Sequence, residues 1–277
     1  EIIIGETSLI LNLPIVIGPG GNLHRHGYNG RGGEYYSEDP ILSGYIGSAV
    51  VQGAQSKGCL VNIKHAAFND QERNRSGIAV FRNEQKAREL ELRNLNARFT
   101  AKGKPASFYE DETKASTYKT GALGVRTSYN RIGAVASSAN YAVQQSIRRE
   151  EWGFHGYSVT DFTGVSLKAA PKESILAGTC AFCGFGKPSL DYWNAESLTK
   201  DKAMANAIHT NIKYILYSLA NSNALNGVNS SYRAYTVQLN TWWRTAYKAA
   251  IITTSILTGA FVVLTGVFTF VRKKEEK

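Results

Sequence analysis

The residues with chemical capacity share one kind of position. Lys64-His65, Ser128-Tyr129 and Asp161 each close a short apolar run, and Arg31 lies in the loop after the first such run. One carboxylate, two fixed cations, an imidazole and a phenol can hold polar groups and take part in proton transfer or carboxylate chemistry. In parallel α/β folds the carboxyl ends of strands are where such groups collect. A polar residue after an apolar run is also an ordinary loop start, but the repeated coincidence weakens that reading. For Lys64 and Arg31 the plainer alternative is a surface ion pair with Glu72 or Glu34.

Two further constellations carry less. Cys180-Ala-Phe-Cys183 has the spacing of redox and zinc sites, yet zinc takes four ligands and no second pair lies nearby. Cys59 is the only other cysteine, so a disulfide framework is not indicated. Two small buried hydrophobes on a strand is the simpler reading of Cys180 and Cys183. His24 and His26 offer two metal ligands, too few for a site. No metal and no cofactor is expected.

The elements that must position these residues alternate. Strands are expected over residues 13–17, 60–64, 124–129, 157–161 and 179–183. Helices are expected over 40–57, 83–99, 139–149, 167–177 and 200–220. Asp39 suits an N-cap with Pro40 in the first turn, Gly58 suits the stop, and Asn83 suits a second cap. Repeated strand–helix units point to a parallel sheet in an α/β fold. About five units fit, and a complete eight-unit barrel takes roughly 250 residues, so the expectation is a partial (β/α)8 TIM-type barrel made of its later units.

The chain has 277 residues, 43% of them hydrophobic, and a formal net charge of +10. No run of five or more Lys and Arg appears, so nucleic acid is not an expected partner. The only Met is Met204 and no leader pattern opens the chain, so the true start is expected upstream. Ala249 to Val271 runs 23 residues without a charge or a Pro. That is enough to span the roughly 30 Å hydrocarbon layer as a helix. Trp242, Trp243 and Tyr247 precede it, and Arg272, Lys273 and Lys274 follow at once. Aromatic residues belong at the interface and cations on the cytoplasmic side. A single-pass anchor in the cell membrane is expected, with the main domain outside.

Four segments, in order, resemble glycoside hydrolase family 3. Gly30-Arg31-Gly32-Gly33-Glu34-Tyr35-Tyr36-Ser37-Glu38-Asp39-Pro40 is similar to that family's G-R-N-F-E-Y-x-S-E-D-P loop. Lys64-His65-Ala66-Ala67-Phe68-Asn69-Asp70-Gln71-Glu72 is similar to its K-H-F-x-x-N-x-Q-E segment. Ser128-Tyr129-Asn130-Arg131-Ile132-Gly133 is similar to S-Y/F-N-x-I-x-G. Glu151 to Asp161 is similar to E-W-G-F-x-G-x-V-x-S-D. The Lys-His loop resembles the β-glucosidase and β-xylosidase branch rather than the hexosaminidase one.

The resemblance implies a retaining hydrolysis of terminal β-glycosidic bonds, with Asp161 as nucleophile. Arg31, Lys64 and His65 would hold hydroxyls of the sugar, and Tyr129 would lie near the nucleophile. Retention needs a second carboxyl group about 5–5.5 Å away. In the family it sits in a separate sandwich domain, so it is unassigned here and that domain is expected upstream. The isolated chain is then expected to be poorly active. The implied organisation is a partial barrel over 1–226, a linker over 227–248, a span over 249–271 and a basic cytoplasmic tail over 272–277. A membrane-anchored sugar-binding module without catalysis is the alternative. Three positions depart from the family: Phe162 replaces a usual Trp, Cys180 a common Asp, and Arg126 a Met or other apolar residue. An Arg in a barrel interior needs a partner.

Overall fold

The computed structural model describes residues 4, 11, 13–25, 27–100, 121–162, 170–184, 200–225 and 241–275. The chain divides into two units, Glu1–Arg233 and Ala234–Lys277. In the first unit the strands are β1 (Ile15–Gly20), β2 (Leu60–Ala66), β3 (Ala79–Val80), β4 (Gly124–Thr127), β5 (Arg131–Ile132), β6 (Val135–Ala136) and β7 (Tyr157–Val159). The helices are α1 (Pro40–Gln55), α2 (Glu84–Glu89), α3 (Glu91–Thr100), α4 (Pro171–Leu176) and α5 (Lys202–Ala220). A wider π-helix occupies Ala142–Glu151.

The main sheet runs β1-β2-β4-β7 with every neighbouring pair parallel. Ala181 bridges Val159 in the same sense, so the expected last strand over 179–183 is a single bridge. The described strands make an open sheet, and β1 is an edge. Leu13, Ile15 and Ile17 are exposed there while Val16 packs inward. A smaller sheet, β3-β5-β6, was not anticipated. Its two-residue strands are too short to show alternation.

Successive residues of a strand point to opposite faces. Val61, Ile63 and Val125 face the helices and join Val51, Ala54, Leu92, Leu95 and Phe99 in the core. Asn62 and Tyr157 meet on the other face, where Asn62 Nδ2 donates to the Tyr157 hydroxyl at 2.9 Å. Gly124 permits this crossing, since a Cβ there would stand 2.7 Å from the Tyr157 ring.

The caps follow the sequence. Asp39 Oδ1 accepts from Ile41 N at 2.7 Å and Asn83 Oδ1 from Lys86 N at 2.9 Å. Gly58 has a φ of +78°, which its lack of a Cβ makes cheap. The single helix expected over 83–99 breaks at Leu90. The break turns Glu91 inward, where Arg82 meets it at 3.2 Å, and aims Leu92 and Leu95 into the core.

Helix α1 presents small residues to α3, and a long one fills the gap. Arg98 is fully buried and its guanidinium crosses over Gly47. It donates to Gly20 O at 2.6 Å, to Ser43 O at 3.0 Å and to Ser43 Oγ at 3.2 Å. One side chain thereby ties the carboxyl end of β1 to both helices. Burial pushes its pKa down to about 10.

In the second unit, α6 (Trp242–Glu275) is one continuous helix. It begins seven residues before the apolar stretch and continues past it. Trp242–Arg272 is long and apolar enough to cross a membrane, by length and composition.

A Cβ at position 47 would stand 2.1 Å from Arg98 Nε. Gly47→Ala is therefore expected to cost about 1–3 kcal/mol through overpacking. Urea unfolding checks this, and an unchanged midpoint would show that Arg98 does not cross there.

Candidate active site

The register of β4 and β7 creates the centre of the site. Arg126 lies opposite Val159. Asp161 is two residues further along the same chain, which returns its side chain to the face of Val159. The diagonal from Arg126 to Asp161 is within reach of a long side chain. Arg126 Nη2 donates to Asp161 Oδ1 at 2.5 Å. Phe162 N–H donates to the same oxygen at 2.9 Å. Arg126 and Asp161 are each only 4% exposed. The Arg126 guanidinium also lies 4.3 Å from the centre of the Phe162 ring.

Asp161 Oδ2 is different. His65 Nε2 stands 3.3 Å away, but the alignment does not make a hydrogen bond, and Oδ2 has no other partner among the described residues. His65 is held by its backbone: Asn22 Nδ2 donates to His65 O and His65 N–H donates to Asn22 Oδ1, both at 3.1 Å. Arg31 Nη1 lies 3.4 Å from His65 Nδ1. A guanidinium can only donate, so Nδ1 accepts and the ring proton sits on Nε2, facing Asp161.

Burial, with the positive Arg31, Lys64, Arg126 and Arg75 around it, lowers the His65 pKa to about 2. The imidazole is neutral at ordinary pH. Its 3.3 Å approach to Asp161 is therefore that of a neutral ring, not an ion pair.

The cations are held by two glutamates. Arg31 Nε is 2.5 Å from Glu72 Oε1 and Arg31 Nη1 is 2.8 Å from Glu34 Oε2. Lys64 Nζ is 2.8 Å from Glu34 Oε1. The ion pairs with Glu34 and Glu72 that the sequence offered as a plainer alternative do form. They are partly buried, and Arg31 also reaches the imidazole. Arg75 joins Glu72 at 2.9 Å and lies 4.7 Å from the centre of the Tyr129 ring. The Tyr129 phenol has a raised pKa, first from burial and then from the negative charge of Asp161.

The structure thus gathers Asp161, His65, Arg31 and Lys64 into one network, with Tyr129 at its side. Sequence reasoning did not select Arg126, Asn22 or Arg75. The signal for Arg126 was present, as a cation inside an expected strand of the parallel sheet. His24 lies 6.3 Å from the Tyr35 ring, and His26 falls outside the described residues. Among the described residues no three His, Cys, Asp or Glu side chains are grouped to hold a metal. Cys180 Sγ is 3.7 Å from Arg149, and Cys183 Sγ is 4.0 Å from Arg126.

The His65 shift sets a pH dependence. In the unfolded chain the imidazole takes a proton below about pH 6.5, whereas the folded one does so only near pH 2. Between those values the unfolded state binds more protons, so stability falls as pH falls. The slope is at most about 1.4 kcal/mol per pH unit. Urea unfolding between pH 7 and pH 4 is expected to show a shallower decline for His65→Gln than for the parent. Equal slopes would mean that His65 charges within the fold.

No protein-family model matches the chain. It is 33% identical over 147 residues to a β-glucosidase of Ruminococcus albus, a match covering 53% of this chain and 14% of that protein. It is 34% identical over 169 residues to an exo-α-(1→6)-L-arabinopyranosidase of Bifidobacterium longum, covering 59% and 20%. Most of the chain's fold recurs in solved structures. β-Glucosidase 3B of Thermotoga neapolitana, in complex with glycerol, superposes with a TM-score of 0.66 at 27% identity, over 84% of this chain and 30% of that one. A β-glucosidase of Paenibacillus barengoltzii gives 0.66 at 26%, over 80% and 24%. The chain spans between 14% and 20% of the length of the two relatives named. What it resembles, in sequence and in fold, is one part of a family of glycoside-cleaving enzymes.

Proposed function

We propose that this chain carries the nucleophile half of a retaining β-glycosidase acting on terminal β-glucosides or β-xylosides, with Asp161 as the attacking carboxylate. The observation that supports this most is the asymmetry of Asp161. One oxygen is fixed by Arg126 and a backbone N–H, while the other is buried without a hydrogen bond. A carboxylate with one anchored and one free oxygen is oriented for attack and has an electron pair to spend. The similarity to β-glucosidases agrees with that reading.

In the proposed reaction Oδ2 bonds to the anomeric carbon as the bond to the leaving oxygen breaks. The neutral His65 N–H, Lys64, Arg31 and Glu34 then serve as donors and acceptors for sugar hydroxyls. Tyr129, a neutral donor beside Asp161, steadies charge that develops during the displacement. Glu34 and Glu72 are paired with cations, and the resemblance implies a proton donor on a separate sandwich domain, so that role is assigned to a carboxyl group there, outside the described residues. The first unit would be the later part of a (β/α)8 barrel. Helix α6 would anchor it through residues 249–271, with the basic end in the cytoplasm.

Incubation of the protein with a 2-deoxy-2-fluoro-β-glucosyl fluoride is expected to label the peptide containing Asp161. Asp161→Asn is expected to lower turnover of an aryl β-glucoside by roughly a thousandfold or more. Label on another carboxylate, or near-normal turnover by the variant, would reject the assignment. In cell fractionation the protein is expected to stay with membranes through alkaline carbonate washing and to leave them when 249–271 are deleted. Release of the intact protein by carbonate would reject the anchor.

A further inference from the structure

Arg126 is a cation inside the parallel sheet, and its partner there is Asp161. The pair is a built feature. Arg126 and Asp161 are both buried, they meet at 2.5 Å, and the guanidinium is backed by the Phe162 ring at 4.3 Å. Arg126 Nε makes no hydrogen bond among the described residues. The cation's strongest interaction is therefore with the carboxylate.

We infer that Arg126 is a positioning residue that reserves Asp161 Oδ2 for attack and carries the charge returning to Asp161 when the glycosyl-enzyme breaks down. This rests on the glycosidase reading above. In that second step water bonds to the anomeric carbon and its proton passes to the carboxylate that the proposed function puts on the sandwich domain or, without that domain, to solvent water. The bond from that carbon to Oδ2 breaks, and its electron pair returns to Asp161.

Asp161 is neutral as an ester and anionic once released. A fixed cation on Oδ1 interacts more strongly with the second state than with the first, so it favours release. The same cation stabilises the free carboxylate before attack and so slows formation of the ester. Arg126 is expected to shift the slow step toward glycosylation and to keep the covalent intermediate short-lived.

The test compares the parent protein with Arg126→Met and Arg126→Lys. Each is labelled with a 2-deoxy-2-fluoro-β-glucosyl fluoride, freed of excess reagent, and followed by mass spectrometry as the label leaves. Loss of label is expected to slow by roughly tenfold or more in R126M. R126K, which keeps a charge but loses the planar fork, is expected to recover part of the rate.

A purely structural Arg126 would lower the folded fraction without changing the rate at which label leaves. If R126M does not fold, R126K alone must show a slower loss than the parent. Labelled Asp161 with equal release rates overturns the inference and leaves the glycosidase reading intact. No label on Asp161 in the parent overturns both.

Discussion

A buried carboxylate is the constraint on which the site depends. Asp161 has almost no contact with solvent, and an ionised group in that position is costly unless a partner and hydrogen bonds replace water. Arg126 and the Phe162 backbone N–H supply both on one oxygen. That pairing requires β4 and β7 to be adjacent, parallel and in the register that sets Arg126 opposite Val159. A slip of one residue would turn one of the two side chains to the helix face. The ion pair and the strand register therefore support each other.

The remaining groups are arranged around this pair by contacts that cross the ends of several strands. Arg98 ties the end of β1 to α1 and α3, which fixes the start of the loop that carries Arg31. Asn22 grips the backbone of His65 through both ends of its amide. Arg31 sets which ring nitrogen holds the proton, and the surrounding cations keep the ring neutral. The outcome is a carboxylate faced by one cation and one neutral donor, with further cations held off by Glu34 and Glu72.

Much of this was legible in the sequence, for identifiable reasons. Asp39, Asn83 and Gly58 act locally, through caps and a positive φ, and local rules locate them. Asp161, Lys64 and His65 were singled out because strand ends follow apolar runs, and the structure brings their side chains near one another through Glu34 and Arg31. The break at Leu90 was not legible, since the helical pattern runs through it and the pairing of Glu91 with Arg82 appears only once the chain has turned there. Arg126 was visible as an anomaly, but its partner lies 35 residues away in sequence and becomes a neighbour only through strand pairing. Arg75 and Asn22 were missed for the same reason: their roles exist only once loops from different strands converge.

The most direct measurement of the central interaction is a double-mutant cycle on folding stability with Arg126→Met, Asp161→Asn and the combined variant. A buried pair predicts strong coupling. Each single change should cost about 3 kcal/mol or more, and the double change should cost well under the sum, with a coupling of about 1.5 kcal/mol or more. Additive losses, with no coupling beyond about 0.5 kcal/mol, would show that Arg126 and Asp161 do not hold each other and would contradict the account.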